Sequence, residues 1–337
     1  MSGITGDRSG VRLGSIGRDD PDAAEDVPAM TPMHERPPAR RALLLVNRHA
    51  RRGTADLDAV VRTLVALDYD VVEESTERAD TVSDAIRRHA GAVDRVIVGG
   101  GDGTLGSAVA GLIDTGLPLG ILPLGTANNL ARGLGLPLDV TAACGVAAAG
   151  EARAVDVGWV NGHYFLTTAS MGLSVAITER LSHALKRRFG VVAYAVAAAR
   201  VLSRARPFRA DIRWPGGEVV SRTVQIVVGN GRFYGTQMTV HEDARIDDHH
   251  FDLYSIELHA WWRLLAVLPA LRLGRHGRRG DVLAVRAREF EVRTRHPHRI
   301  DLDGELRTTT PATFRILPGA LRIFCPLSTE GPALSSP

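Results

Sequence analysis

Four glycines and one aspartate follow a short run of β-branched residues, and this segment could bind a phosphate group. Residues 96–98 are Val96, Ile97 and Val98, which predict a buried strand, and residues 99–105 read G-G-G-D-G-T-L. A glycine-rich turn lets backbone amides approach an anion, and the N-terminus of a following helix adds partial positive charge. The segment therefore predicts a phosphate-binding loop between a strand and a helix.

The carboxylate of Asp102 stands inside this loop, where it would repel phosphate unless a cation lay between them. We therefore expect Asp102 to bind Mg²⁺ or a Mg²⁺-bound water. An aspartate at this place can also cap a helix over a tight turn, and this structural role stays open as the alternative.

Neither of two common phosphate loops explains the segment. The sequence has no G-x-x-x-x-G-K-[ST] pattern here, which excludes a P-loop. Gly101, Gly103 and Gly106 match the G-x-G-x-x-G fingerprint of dinucleotide-binding folds, but that fingerprint also needs a carboxylate about 20 residues later. The next predicted strand, 119–124, is followed by Gly125 and Thr126 and offers no such carboxylate. We interpret the dinucleotide match as accidental.

A second strand, glycine turn and helix start follow at residues 122–132, which read L-P-L-G-T-A-N-N-L-A-R. Two such loops at the ends of neighbouring parallel strands face one cleft. With both loops, the chain resembles the diacylglycerol kinase and sphingosine kinase-like lipid kinases. Their G-G-D-G-T motif matches residues 100–104, and their P-x-G-T-x-N-D-x-A-R motif matches residues 123–132 with Asn129 in place of Asp. The first motif also occurs in NAD kinases and phosphofructokinases, whereas the pair is specific.

The order of elements predicts two folded domains. Strands and helices alternate from residue 42 to 149, which predicts a parallel sheet with right-handed crossovers. Strand signals then dominate over 155–302, with a single strand predicted over 219–228, and helices near 174–204 and 260–275 interrupt them. Thr54 is expected to cap the helix that begins near Leu57, with Val60, Val61, Leu64 and Val65 on its apolar face.

The resemblance implies the fold class and the domain boundaries. An α/β nucleotide-binding domain like that of NAD kinase and phosphofructokinase, with a parallel sheet, would span 39–158 and take up 318–328 at the end of the chain. A β-sandwich would form the lipid-substrate domain over 159–317. Residues 1–38 lack periodicity and are rich in Gly, Asp, Pro and Arg, which predicts a disordered leader.

The resemblance also implies ATP and Mg²⁺ as cofactors. Carried over residue by residue, the nucleotide site comprises glycine-loop residues and side chains from four other segments: Asn47, Thr76, Gly100, Gly101, Asp102, Gly103, Thr104, Gly125, Thr126, Asn128, Lys186, Arg188 and Glu305. Lys186 and Arg188 belong to a cationic cluster that could neutralise a transferring phosphoryl group, or could simply complement a helix dipole.

Catalysis is assigned to Asp102 and Asp303. The family's D-G-E motif matches residues 303–305, and a carboxylate on such a turn could accept the proton of a lipid hydroxyl. A plain D-G hairpin turn is the structural alternative. Asp248 lies where the family has a structural Mg²⁺ region and is assigned, with Asp102, as a metal ligand. His249 replaces the glycine of that region and is expected to alter its loop.

Composition excludes several classes of protein. The 337 residues carry a net charge of +3, and 45% are hydrophobic, as in soluble globular proteins. Two cysteines argue for a reducing compartment, and no apolar run reaches the length of a transmembrane helix. We expect a cytoplasmic protein that associates peripherally with the inner face of the membrane. Trp261, Trp262 and the arginines within 272–279 could contact the lipid surface.

The resemblance implies an ATP-dependent lipid kinase whose partners are ATP and a lipid substrate, expected to be diacylglycerol, which would become phosphatidic acid. No nucleic-acid partner is expected, and a homodimer is left open. An NAD kinase-like small-molecule kinase is one alternative. A lipid-binding regulatory protein with impaired catalysis is another, because Ser107 and His249 depart from the family's pattern; Gly106 and Ser107 stand where the family has Asn and Glu.

Overall fold

The computed structural model describes most of the chain between residues 40 and 327. The described residues are 40–46, 57–75, 81–180, 206–231, 233–234, 238–239, 245–257 and 282–327. Among the predicted site residues, Asn47, Thr76, Lys186 and Arg188 lie outside these ranges. Thr54, most of the helix predicted near 174–204 and the whole membrane-contact segment 261–279 also lie outside them.

The first half of the chain alternates between strands and helices. Its elements are β1 (Arg40–Val46), α1 (Leu57–Ala66), β2 (Tyr69–Ser75), α2 (Val82–His89), β3 (Arg95–Gly100), α3 (Asp102–Thr115), β4 (Leu119–Pro123), α4 (Asn129–Gly133) and α5 (Val140–Ala149). Strands β2, β1, β3 and β4 pair in that order, and all of these pairings are parallel. The prediction of a parallel α/β sheet is confirmed.

The second half is dominated by antiparallel strands. Its elements are β5 (Glu151–Val160), β6 (His163–Phe165), β7 (Thr168–Gly172), α6 (Leu173–Arg180), β8 (Phe208–Trp214), β9 (Gly217–Thr223), β10 (Gln225–Gly229), β11 (Phe233–Tyr234), β12 (Met238–Thr239), β13 (Phe251–Ile256), β14 (Val282–Ala287), β15 (Glu289–Thr294), β16 (Arg299–Leu302), β17 (Glu305–Thr309) and β18 (Ala312–Cys325). Strands β14, β13, β10, β7, β16 and β17 form one sheet, and within the described ranges β11 pairs only with β12.

Strand β18 connects the parallel sheet to the antiparallel part of the chain. Ile323 pairs with Leu119 of β4 in parallel, and the strand also pairs antiparallel with β5 and β15. The first sheet therefore continues through β18 to β15, β8 and β9. The boundary expected at residue 158 lies inside β5, and the boundary expected at residue 318 lies inside β18.

Alternating residues of β1 bury opposite faces of the parallel sheet. Leu43 and Leu45 pack into a cluster with residues of α2 and α3, whereas Leu44 and Val46 pack into a second cluster with residues of α1 and α5. Because side chains alternate across a strand, a strand that is covered on both sides reads as a continuous apolar run. Helix α3, which begins at the glycine loop, therefore packs against one buried face of the parallel sheet.

The two sheets of the second half pack face to face through aromatic rings. Phe165 of β6 stacks on Phe251 of β13 with ring centroids 5.6 Å apart, and it meets Phe314 of β18 edge-on at 6.5 Å. All three side chains are fully buried. The β-sandwich implied by the resemblance is confirmed.

One predicted strand is in fact two. The sequence predicted a single strand over 219–228, but β9 lies in the first sheet and β10 in the second. The Thr223 hydroxyl donates to the carbonyl oxygens of Gln225 and Ile256 and accepts from the Gln225 amide, so it substitutes for ladder partners where the chain changes sheets. Strand β17 and the first half of β18 were not predicted. Within the described ranges, no helix is long and apolar enough to span a membrane.

The apolar face predicted for α1 is only partly correct. Val60 is 3% exposed and Leu64 is fully buried, but Val65 is 57% exposed.

We expect Val60→Ala to lower the free energy of unfolding by about 1–3 kcal/mol, because it leaves a cavity against α5. Val65→Ala removes the same atoms from the same helix and should change stability by less than about 0.5 kcal/mol. Denaturant unfolding of both variants tests this packing, and equal losses would contradict it.

Candidate active site

The carboxylate of Asp102 connects the two glycine loops. Its Oδ2 accepts a hydrogen bond from the Asn129 amide at 3.0 Å, and its Oδ1 accepts one from the Leu130 amide at 3.1 Å. The first residue of α3 therefore caps α4, where a negative charge complements the helix dipole. The structure thus shows Asp102 as a helix cap, although for α4 and not for its own helix. Each oxygen keeps a further lone pair, and Mg²⁺ binding by Asp102 stays a prediction.

The backbones of the two loops touch at a pair of glycines. A Cβ atom on Gly125 would lie 2.4 Å from the Gly101 Cα, and a Cβ on Gly101 would lie 3.2 Å from the Gly125 Cα. The Leu124 amide also donates to the Gly100 carbonyl at 3.1 Å. Any side chain at Gly125 would separate the loops, so this contact explains the glycine there. The structure brings residues 100–104 and 125–128 together, as the sequence predicted.

Asn128 shapes the second loop. Its φ is 50°, a left-handed conformation that Asn tolerates better than most residues. Its Nδ2 donates to the carbonyl oxygens of Pro123 at 3.3 Å and Gly125 at 3.0 Å. Thr126 is exposed at the tip of the same turn.

The Asp303 carboxylate is held by the segment that joins β6 to β7. Its Oδ1 accepts from the amides of Thr167 at 2.8 Å and Thr168 at 3.0 Å, and from the Thr167 hydroxyl at 2.5 Å. Among the described residues, its Oδ2 accepts only from the Leu166 amide, at 2.6 Å. Oδ1 is therefore saturated, whereas Oδ2 keeps a lone pair that could take a proton.

Two opposing effects set the pKa of Asp303. Burial disfavours the charged form, and the hydrogen bonds from Thr167, Leu166 and Thr168 favour it. Burial is the larger effect and raises the pKa of Asp303 to about 6. A carboxylate with this pKa is charged at neutral pH and is a stronger base than an ordinary aspartate, which suits a general base.

Helix α3 lies directly against the D-G-E turn. A Cβ on Gly103 would lie 3.1 Å from Glu305 Oε1, and a Cβ on Gly106 would lie 3.7 Å from Asp303 Oδ2. The Glu305 carboxylate pairs with Arg307 and is 40% exposed. The first turn of α3, which contains the predicted residues Asp102, Gly103 and Thr104, therefore lies beside the turn that contains Asp303 and Glu305.

Asp248 lies in a different setting. Its Oδ2 is 2.7 Å from an Arg286 Nη2 and accepts from the Arg245 amide at 2.9 Å, and its Oδ1 accepts from the His250 amide at 3.0 Å. The described ranges contain no group of three or more His, Cys, Asp or Glu side chains placed to hold a metal ion. A metal at Asp248 stays a prediction, and a cation there would compete with the Arg286 guanidinium.

Asp156 orders the loop that contains Asp248, and the sequence analysis missed it. This carboxylate is 1% exposed and accepts from the His249 amide at 2.7 Å, from His249 Nδ1 at 2.9 Å and from the Gly319 amide at 2.8 Å. His249 has a φ of 61°, so it keeps the left-handed conformation for which a glycine is favoured. The side chain of His249 thus contacts Asp156 and replaces glycine without a change of backbone region.

Thr167 is the second residue that sequence reasoning missed. Its hydroxyl and amide both contact Asp303, although the two residues are 136 positions apart. Thr167 directly precedes β7 and Thr168 is its first residue, and both are buried. Two consecutive threonines beside a strand are the one sequence signal that could have indicated a polar partner.

We expect Asp102→Asn to lower the free energy of unfolding by about 1–3 kcal/mol, because its NH₂ group would face a backbone N–H donor at one of the two α4 amides. Asp139→Asn is the matched control. Asp139 caps α5 through a single bond from the Ala142 amide at 2.9 Å, which an Asn oxygen can accept equally well. Denaturant unfolding of both variants measures the difference. Equal small effects would show that the Asp102 contacts do not hold α4.

Comparisons with known proteins show the family to which the chain belongs. Residues 41–160 match the diacylglycerol kinase catalytic domain, and residues 167–325 match the YegS C-terminal NAD kinase beta sandwich-like domain. A protein of Chromohalobacter salexigens named "Probable lipid kinase YegS-like" is 34% identical over 285 residues, which cover 83% of this chain and 90% of that protein. The diacylglycerol kinase of Bacillus subtilis is 30% identical over 228 residues, covering 66% of this chain and 74% of that protein.

A solved structure gives the same result at the level of the fold. The crystal structure described as a "putative diacylglycerol kinase" from Bacillus anthracis str. Sterne superposes with a TM-score of 0.74 at 25% identity. The match covers 85% of this chain and 95% of that one. The chain belongs to the diacylglycerol kinase family of lipid kinases, together with the YegS-like proteins.

Proposed function

We propose that this chain transfers the γ-phosphoryl group of ATP to the hydroxyl of diacylglycerol and so forms phosphatidic acid. Family membership supports a lipid kinase that uses ATP. The observation that carries the proposal further is the position of Asp303. Among the described residues, its Oδ2 has one hydrogen-bond donor, and this oxygen faces Gly106 of α3, next to the glycine loop.

The glycine loops would hold the phosphates of ATP. Gly101 is the N-cap of the 14-residue helix α3, and the first intrahelical bond runs from the Leu105 amide to the Gly101 carbonyl. The amides of residues 102–104 therefore have no partner within the helix and are available to an anion. The second loop lies in backbone contact with the first at Gly125 and would close the other side of the phosphate site.

The acceptor hydroxyl would enter between α3 and the D-G-E turn. Its oxygen attacks the γ-phosphorus, the bond from that phosphorus to the bridging oxygen breaks, and ADP leaves. The hydroxyl proton passes to Asp303 Oδ2. Phosphoryl transfer needs little covalent chemistry from the protein, so the main contributions are positioning and electrostatic stabilisation.

Mg²⁺ fits one of the two predicted places. Mg²⁺ is usually held by one or two carboxylates together with substrate phosphates and waters. Asp102 meets this need, because each of its oxygens has one amide donor and a remaining lone pair at the first turn of α3. Asp102 would hold the ion beside the phosphates, where it would neutralise their charge. Asp248 fits less well, since Arg286 already neutralises it.

A purely structural role for Asp303 is the competing possibility, because four hydrogen bonds to residues 166–168 would also anchor a turn. A regulatory protein without catalysis would keep this anchor. Transfer of ³²P from ATP to diacylglycerol in mixed micelles, followed by thin-layer separation of the lipid product, distinguishes a lipid kinase from such a regulatory protein. Labelled phosphatidic acid is the expected result, and its absence with diacylglycerol would contradict the proposal.

We expect Asp303→Asn to lower kcat by about 10²–10⁴-fold while the ATP affinity of the folded variant stays within a few-fold, because the chemical step loses its base. The Asn NH₂ group would face the Leu166 amide and lower stability, so kcat is measured well below the melting temperature of the variant. Asp301→Asn is the control in the same turn. The Asp301 Oδ1 accepts from the Gly304 amide at 2.8 Å, and an Asn oxygen can do the same, so the control should retain activity. Loss of ATP affinity in Asp303→Asn with an unchanged rate for the bound complex would make Asp303 a nucleotide ligand instead of the base.

A further inference from the structure

Helix α3 contains a glycine that neither its backbone nor its packing requires. Glycine destabilises a helix interior relative to alanine, so an interior glycine usually has a packing or functional reason. Gly111 has a packing reason, since a Cβ there would lie 2.6 Å from the Ser83 carbonyl oxygen of α2. Gly106 does not have one. Its φ is outside the left-handed region, and a Cβ atom would fit without a clash.

Apart from its chain neighbours and the backbone of its own helix, the one described atom within 4 Å of a Cβ on Gly106 is the Oδ2 of Asp303, at 3.7 Å. This is the oxygen with a single donor, whereas Oδ1 is enclosed by the Thr167 hydroxyl and two amides. The missing side chain of Gly106 therefore leaves open the side of Asp303 from which a hydroxyl can approach.

We propose that Gly106 determines acceptor specificity by leaving room for the carbon atom that carries the acceptor hydroxyl, so that secondary as well as primary alcohols reach Asp303. The inference rests on the proposed lipid kinase function and adds the acceptor class to it. Primary alcohols carry one carbon substituent on the reacting carbon, and secondary alcohols carry two.

The distances support a steric role. A hydroxyl oxygen that donates to a carboxylate lies about 2.5–3.0 Å from it, so the carbon that carries the hydroxyl lies within about 4 Å of Oδ2. A methyl group at residue 106 would occupy the same shell around Oδ2. The methyl would therefore clash with the second carbon substituent of a secondary alcohol, which a primary alcohol does not have.

Gly103 does not have the same effect. A Cβ there would lie 3.1 Å from Glu305 Oε1, but the Glu305 side chain is 40% exposed and can move aside. Asp303 cannot move in this way, because the segment 166–168 fixes both of its oxygens. The steric effect of a new side chain is therefore specific to residue 106.

Gly106→Ala tests the proposal, with Gly145→Ala as the matched control. Gly145 is an interior glycine of α5, and a Cβ on it would meet no described atom within 4 Å. Both variants should raise the melting temperature, because alanine favours the helix. The acceptors are 1,2-diacylglycerol, with a primary hydroxyl, and 1,3-diacylglycerol, with a secondary hydroxyl, carrying the same acyl chains in the same mixed micelles.

The wild-type chain and Gly145→Ala should phosphorylate both acceptors. Gly106→Ala should lose about 10-fold or more in kcat/KM for the secondary alcohol, and about 3-fold or less for the primary one, because one misplaced methyl group in a pocket has an effect of this size. An unchanged ratio in Gly106→Ala, or a wild-type chain that phosphorylates only the primary alcohol, would overturn the inference and leave the proposed function intact. A wild-type chain inactive on both acceptors would overturn both.

Discussion

The hydrogen bonds between Asp303 and residues 166–168 are the contact on which the site depends. Residues 166–168 connect β6 of the first sheet to β7 of the second, and Asp303 lies between β16 and β17 of the second sheet. The contact therefore fixes the D-G-E turn against the point where the chain passes from one sheet to the other. Helix α3 packs over this turn, so the distance from the glycine loop to Asp303 follows from the same contact.

The chemistry of the site follows from the balance between burial and hydrogen bonding at this carboxylate. A carboxylate with several amide donors and good hydration has a low pKa and is a weak base. Here burial outweighs the donors and raises the pKa of Asp303 to about 6. The two glycines of α3 that face Asp303 and Glu305 maintain this arrangement, because they let the helix approach without filling the space beside Oδ2. The glycine loop and the candidate base are thus parts of one packed unit.

The sequence was informative where local spacing determines structure, and less so where distant residues meet. The glycine spacing at 99–103 predicted the turn between β3 and α3, and the alternation of strands and helices predicted the parallel sheet. The family resemblance implied the β-sandwich and indicated the D-G-E turn as part of the candidate site. The Asp102 contacts to α4 and the Asp156 contact to His249 could not be predicted, because they join residues 27 to 93 positions apart through single side chains. The division of 219–228 into β9 and β10 depends on one hydroxyl, Thr223, which a periodicity pattern does not distinguish from other strand residues.

The pH dependence of stability in the wild-type chain and in Asp303→Asn tests the burial of this carboxylate most directly. A group whose pKa is raised in the folded state makes the protein less stable as the pH rises from the unfolded pKa, near 4, through the folded pKa, near 6. A pKa difference of about two corresponds to about 3 kcal/mol. The unfolding free energy of the wild type minus that of Asp303→Asn, in which other titrating groups cancel, should therefore fall by about 2–3 kcal/mol between pH 4 and pH 7.5. A difference that stays constant would show that hydrogen bonding balances burial, and one that increases with pH would show that hydrogen bonding outweighs burial. Either result would contradict the assignment of Asp303 as a base tuned by its surroundings.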